Sequence, residues 1–150
     1  MTGASIGAWT LALILAVGAG VSLAQQKAGA SLYQRLGRYD AIAAIVDDFL
    51  SHLRADPQFQ RFGGGRSADS LKRARQLLVD QLCALTGGPC IYIGRDMKTA
   101  HAGLGITDSE WEGNMKHMAA SLDRLKVAPK EKREFLAIVS SLRPEIVGHR

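Results

Sequence analysis

His101 is the side chain whose type and setting could do the most chemistry. It lies in Met97-Lys98-Thr99-Ala100-His101-Ala102-Gly103-Leu104-Gly105-Ile106, a short segment between two long helical patterns. A neutral imidazole held against an apolar cavity is a good donor to a metal ion or a haem iron, provided its other nitrogen is oriented by a second partner. Cys83 and Cys90 are the other chemically distinctive pair, flanking Leu85-Thr86-Gly87-Gly88-Pro89. In an exported protein such a pair suggests a disulfide closing the turn after a helix; the other reading is two separate thiols, one buried as a small hydrophobe. Two cysteines with no histidine at the usual spacing argue against zinc.

The elements that must position these residues are helical. Ile42, Ile45, Val46, Phe49 and Leu53 draw one apolar stripe along a helix from about Tyr39 to Arg54, preceded by a short helix at Ser31 to Leu36. Leu71, Ala74, Leu78, Leu82 and Leu85 make a second stripe, starting after Gly63-Gly64-Gly65 and stopped by Gly87-Gly88-Pro89. Thr107-Asp108-Ser109-Glu110 has the capping-box pattern, and behind it Trp111, Met115, Met118, Leu122 and Leu125 face one way until Val127-Ala128-Pro129. A last helix carries Phe135, Ile138, Val139, Leu142 and Ile146. No segment alternates as a strand does, so the fold class is all-α with about five helices.

The leading residues are of another kind. Ala8 to Ala24 is an uncharged apolar run ending in small residues at Ser22 and Ala24, which suits a cleaved export signal and a mature start near Gln25. Met1 to Gly7 has no basic residue, which leaves a retained membrane anchor as the alternative, although the run is short beside the roughly 20 residues of a bilayer span. Residues 1–24 are thus read as signal or anchor, and residues 25–150 as one domain with room for a core or a flat cofactor. The location expected is outside the cytoplasm, periplasmic if the signal is cut. The net charge of +5 falls wholly on the later part, in Arg61 to Arg75, Arg95 to Lys98 and Lys126 to Arg133. Those stretches lack interleaved aromatics, which argues against nucleic acid and for solvated helix faces.

Between Gly88 and Ile106 the helical period lapses for nearly the whole interval, and a structureless connection of that length inside a domain ordinarily carries function. His101 lies inside it. The surrounding residues, Leu85-Thr86-Gly87-Gly88-Pro89, Tyr92-Ile93-Gly94, Met97-Lys98 and His101 through Thr107, resemble the group I truncated haemoglobins, as does the opening Ser31-Leu32-Tyr33-Gln34-Arg35-Leu36-Gly37. The resemblance runs from about Ser31 to Val147. It implies a two-over-two helical sandwich around a b-type haem, with the proximal helix shortened to a loop and a turn.

Carried over position by position, the resemblance implies that His101 is the axial ligand of the haem iron and that Phe62 packs on the haem at the corner after the second helix. It places Tyr92, Met97, Ile106 and Trp111 near the haem edge or proximal wall, where ordinary core packing is the alternative. Phe49, Leu50, Leu78 and Leu82 belong to the haem pocket on the same footing. Three departures stand out. A tyrosine that often follows the phenylalanine of the second helix, where its hydroxyl bonds the gas ligand, is replaced by leucine in Phe49-Leu50. The distal positions that commonly hold glutamine or leucine fall on Ala74 and Leu78 in an ungapped register, with Gln81 as the best polar candidate on the edge of that face. An early Gly-Gly reads Gly37-Arg38.

Loss of the tyrosine leaves a mostly apolar distal side, expected to release oxygen fast or to favour less polar ligands such as carbon monoxide or nitric oxide. His52 and His117 are minor candidates to close the sixth coordination position. Three classes of function remain: a haem protein that binds and carries or senses a diatomic gas; a haem enzyme, such as one oxidising nitric oxide to nitrate with an external electron donor; and a helical module without haem in which His101 is structural.

Overall fold

Apolar side chains recurring at helical spacing must find each other, and here they do so as a small stack of helices. The computed structural model describes residues 29–148, so the signal or anchor expected at residues 1–24 lies outside the described residues. In chain order the elements are α1 (Leu32–Leu36), α2 (Arg38–Ala55), a 3₁₀ turn (Pro57–Phe59), α3 (Gln60–Gly63), α4 (Ala68–Leu85), α5 (Met97–His101), α6 (Asp108–Arg124), α7 (Pro129–Ser140) and α8 (Arg143–Ile146). There is no strand among the described residues.

The helix α2 is the centre of the packing. It lies against both α4 and α6, while α7 packs on α6 and on α1. Ile42, Ile45, Val46 and Phe49 of α2 meet Val79, Leu82 and Cys83 of α4, Trp111, Met118 and Leu122 of α6, and Phe135 and Val139 of α7 in one buried cluster. Burying each large aliphatic side chain stabilises the fold by about 1.5–3 kcal/mol. That cluster is the frame on which the short α5 is hung.

Local signals set the boundaries. Ser31 and Gln34 form a capping box on α1, Ser67 caps α4 through Ser70 N, and Thr107 with Glu110 makes the capping box of α6. The turn from α1 to α2 places Gly37 at φ 108° and Arg38 at φ 68°. Glycine takes that left-handed backbone freely, whereas a side-chain-bearing residue pays for it. The Gly-Gly turn expected from the resemblance is therefore kept in shape but strained at its second residue.

Cys83 and Cys90 are joined by a disulfide, so the two-thiol alternative falls away. The bridge returns the chain to the end of α4 across the Gly87-Gly88 turn. Gly88 sits so close that a Cβ there would come within 2.6 Å of Cys83 Sγ and 2.7 Å of the Tyr33 ring.

Two expectations need correction. The last helix is not continuous: α7 ends at Ser140 and α8 starts at Arg143, because Pro144 has no N–H to give the Ser140 carbonyl and its ring obstructs the preceding turn. The α4 stripe is also rotated. Val79, Leu82 and Cys83 form its buried face, while Leu71 and Leu85 are each 40% exposed and Ala74 and Leu78 are half-buried.

Two measurements follow from this packing. Replacing Arg38 with glycine removes the left-handed strain at the cost of a freer unfolded chain, so a net gain of up to about 1 kcal/mol is expected in urea denaturation; a loss would show that the Arg38 side chain outweighs its backbone. Reducing the short Cys83–Cys90 loop is expected to cost about 2–3 kcal/mol on the chain-entropy scale, read as a lower urea midpoint in reductant.

Candidate functional site

Five residues cannot hold a helix by themselves. Both ends of α5 are tied instead. Asp96 caps it, its Oδ1 accepting from Thr99 N at 2.8 Å, and these bonds from Thr99 hold the Asp96 carboxyl below the usual carboxylate range. Met97 is buried, Ala100 packs on the core, and α8 lies behind α5 with Gly148 N donating to the Ile106 carbonyl at 3.0 Å.

Within this turn, His101 Nδ1 lies 2.8 Å from the carbonyl oxygen of Met97. A carbonyl can only accept, so Nδ1 is the donor of this bond, and in the neutral ring Nε2 is then the nitrogen with the lone pair. No protein group bonds to Nε2 among the described residues. The half-buried ring is thus held in the tautomer that an iron or another metal would need.

The chain after His101 is held from across the molecule. Arg61 donates through Nε and Nη2 to both carboxylate oxygens of Glu110, at 2.8 and 2.9 Å, and through Nη1 to the Leu104 carbonyl at 2.7 Å and Nη2 to the Gly105 carbonyl at 3.3 Å. Glu110 also accepts from Thr107 N at 2.9 Å. The Arg61 guanidinium, desolvation opposing it, and the Thr107 bonds bring the Glu110 carboxyl from 4.5 to about 2. One arginine on α3 therefore fixes the exit of the His101 loop and the first turn of α6 together.

The residues expected around a cofactor are distributed as follows. Phe49, Leu82, Met97 and Trp111 are in the buried cluster, and Leu50, Leu78, Tyr92 and Ile106 pack against it half-buried. Tyr92 donates its hydroxyl to the Arg95 carbonyl at 2.7 Å, which fixes the loop ahead of α5. Phe62 lies outside that cluster, half-buried, with the Arg61 guanidinium 4.0 Å above its ring. The buried aromatic of this corner is Phe59, which the periodic patterns did not single out because it sits in a 3₁₀ turn. Its only sequence signal is the spacing of three residues to Phe62.

Three polar candidates are otherwise engaged. Gln81, the best polar candidate on the edge of the distal face, points its Nε2 at Met97 Sδ at 3.0 Å and so links α4 to α5. His117 Nε2 is 2.8 Å from Asp56 Oδ2, and that bond holds the Asp56 carboxyl below its ordinary range. His52 Nε2 is 2.7 Å from Arg124 Nη2. Both rings stand in the seam between α2 and α6, their centroids 5.9 Å apart. The reading of either as a sixth ligand is corrected, since charged neighbours on the seam already occupy the nitrogen that would bind.

These features fit a haem. A single imidazole with no protein partner on Nε2 among the described residues could supply a nitrogen ligand, and Leu71, Ala74 and Leu78 leave on α4 a strip of apolar surface that the protein itself covers only in part. Helices stacked on a buried α2, with one such histidine on a short turn, define a globin.

The chain belongs to the bacterial-like globin family, which it matches over residues 31–147. It is 33% identical over 117 residues to a group 1 truncated haemoglobin of Mycolicibacterium paratuberculosis, covering 78% of this chain and 84% of that one. A group 1 truncated haemoglobin of Chlamydomonas moewusii is 30% identical over 120 residues, covering 79% and 68%. The fold superposes on the ferric truncated haemoglobin of Tetrahymena pyriformis with a TM-score of 0.73 at 25% identity, covering 79% of this chain and 99% of that chain. It also superposes on the 2/2 haemoglobin of Synechococcus, described with covalently attached haem, with a TM-score of 0.68 at 27% identity, covering 76% and 94%. The all-α, two-over-two architecture is therefore that of a truncated haemoglobin, with haem b as cofactor and a diatomic gas as ligand.

The Arg61–Glu110 link has a pH signature. A carboxyl held at about 2 when folded and near 4.5 when free contributes stability that is fully present above about pH 4.5 and lost as pH falls from there toward 2. Glu110→Gln is expected to cost about 1–2 kcal/mol at neutral pH and to flatten the acid limb of the urea midpoint over that window; an acid limb identical to that of the parent chain would refute the assignment.

Proposed function

We propose that this chain is an exported truncated haemoglobin that binds a diatomic gas reversibly and releases oxygen quickly. The observation that carries the reading is the pairing of an axial imidazole preset by the Met97 carbonyl with Phe49-Leu50, where an aliphatic side chain stands in place of a hydroxyl. Haem, when bound, would supply an iron that can bind a diatomic gas. Everything else falls to the side chains.

His101 would hold the iron through Nε2, Phe62 would pack on the haem at the corner after α2, and Tyr92, Met97, Ile106 and Trp111 would line the proximal wall or haem edge. Phe49, Leu50, Leu78 and Leu82 form the distal side and exclude water from it. An apolar distal side offers no donor to a ligand that gains negative charge, so oxygen is retained less well and carbon monoxide or nitric oxide, which need that donor less, are favoured. The engagement of Gln81 with Met97 Sδ supports the same reading. Reversible binding needs only the axial imidazole and an apolar wall. It is preferred to nitric oxide oxidation, which also needs electrons from an external donor.

The location is proposed on two grounds. The uncharged run Ala8–Ala24 suits export, whether it is cut near Gln25 or kept as an anchor. The Cys83–Cys90 disulfide supports an oxidising compartment, such as the periplasm.

The tests separate cofactor from ligand. His101→Gly is expected to lose the Soret band of the purified protein and to regain it with added imidazole; a band that persists unchanged would remove His101 from the iron. In stopped flow the parent chain is expected to lose oxygen fast, and Leu50→Tyr to slow that step about fivefold or more, the equivalent of one net hydrogen bond of about 1 kcal/mol. A slow parent chain indifferent to Leu50→Tyr would place a donor elsewhere.

A further inference from the structure

The apolar side chains most open to solvent among the described residues lie on no helix. Ile91 is 81% and Ile93 72% exposed, on either side of the half-buried Tyr92. Single exposed aliphatics are ordinary, but two β-branched residues displayed together on a loop are an apolar tip. The disulfide ties the start of this loop to the end of α4, where Leu85 is also 40% exposed.

The loop carries a small positive excess: Arg95 and Lys98 are exposed and outnumber the one acid between residues 88 and 98, Asp96, whose carboxylate caps α5. The described chain begins at the same end of the molecule. Tyr33 N donates to the Thr86 carbonyl at 2.8 Å, and Ser31 lies so near Gly87 that a Cβ there would be 3.0 Å from its own. Gly29 and Ala30 therefore enter the domain beside the loop that carries the two isoleucines.

We infer that this face is a membrane-docking surface. Ile91 and Ile93 enter the headgroup region of an anionic bilayer, and Arg95 and Lys98 lie against lipid phosphates. Apolar tips flanked by cations bind such surfaces through burial and charge together. A second copy of the chain is the poorer occupant, because a self-complementary contact would set Arg95 and Lys98 against their own kind.

The full-length, haem-loaded chain tests this with hydrogen–deuterium exchange at residues 88–98. Vesicles of phosphatidylcholine with phosphatidylglycerol are expected to protect these amides, and pure phosphatidylcholine vesicles to protect them much less. The double substitution Ile91→Ser with Ile93→Ser is expected to remove the protection and to weaken co-sedimentation roughly tenfold, about 1.4 kcal/mol, with the Soret band unchanged; Ile91→Leu with Ile93→Leu is expected to retain both. Four results would overturn the inference: exchange that ignores vesicles; equal protection by both lipid mixtures; protection that grows with protein concentration before any lipid is added, which would mean self-association; or loss of the Soret band in the serine variant, which would assign the isoleucines to the haem site.

Discussion

The 2.8 Å hydrogen bond from His101 Nδ1 to the Met97 carbonyl decides which nitrogen of the ring can act as a ligand, and the neighbouring elements serve to keep the turn that contains it in place. That turn has little stability of its own. It depends on the Asp96 cap, on buried Met97 with α8 behind it, and on Arg61 reaching over to the Leu104 and Gly105 carbonyls. A metal ligand needs a fixed tautomer more than it needs a long helix. Five residues suffice when their ends are tied.

The rest of the architecture divides the work. The core around α2 is closed and supplies most of the apolar burial, whereas α4 turns one apolar face into that core and leaves Leu71, Ala74 and Leu78 partly open. A fold that buried all of its apolar surface would have nothing left with which to hold a flat cofactor. The disulfide and the Gly87-Gly88 turn then bring the chain from the end of α4 toward α5, so that the two sides of the site are covalently as well as sterically linked.

Much of this was legible in the sequence because it depends on local spacing. The stripe of Ile42 to Leu53, the capping box Thr107 to Glu110, the glycines that stop α4 and the Cys83–Cys90 pair each express themselves within a few turns of chain. The run Ala8–Ala24, read from composition as a signal or anchor, lies outside the described residues. What was not legible depends on distant partners. Nothing near Arg61 announces a carboxylate at Glu110, and nothing in Met97 to His101 has enough length to show a period. The break at Pro144 was hidden by an apolar repeat running across it, and the face of α4 was misjudged because Leu71, Leu78 and Leu85 look alike in sequence whether a protein core or a cofactor covers them.

The two sides of the proposed haem carry different information. The match over residues 31–147 places the chain among the bacterial-like globins, and on the proposed reading the distal side, with Leu50 in place of a hydroxyl and Gln81 turned toward Met97, would govern how long a gas stays. The most direct measurement of the central claim is the resonance Raman spectrum of the ferrous, ligand-free protein excited in the Soret region. A five-coordinate iron is expected, with an iron–histidine stretching band that shifts on ¹⁵N labelling of histidine and vanishes in His101→Gly with imidazole absent. A six-coordinate spectrum, or a band untouched by substitution of His101, would contradict it.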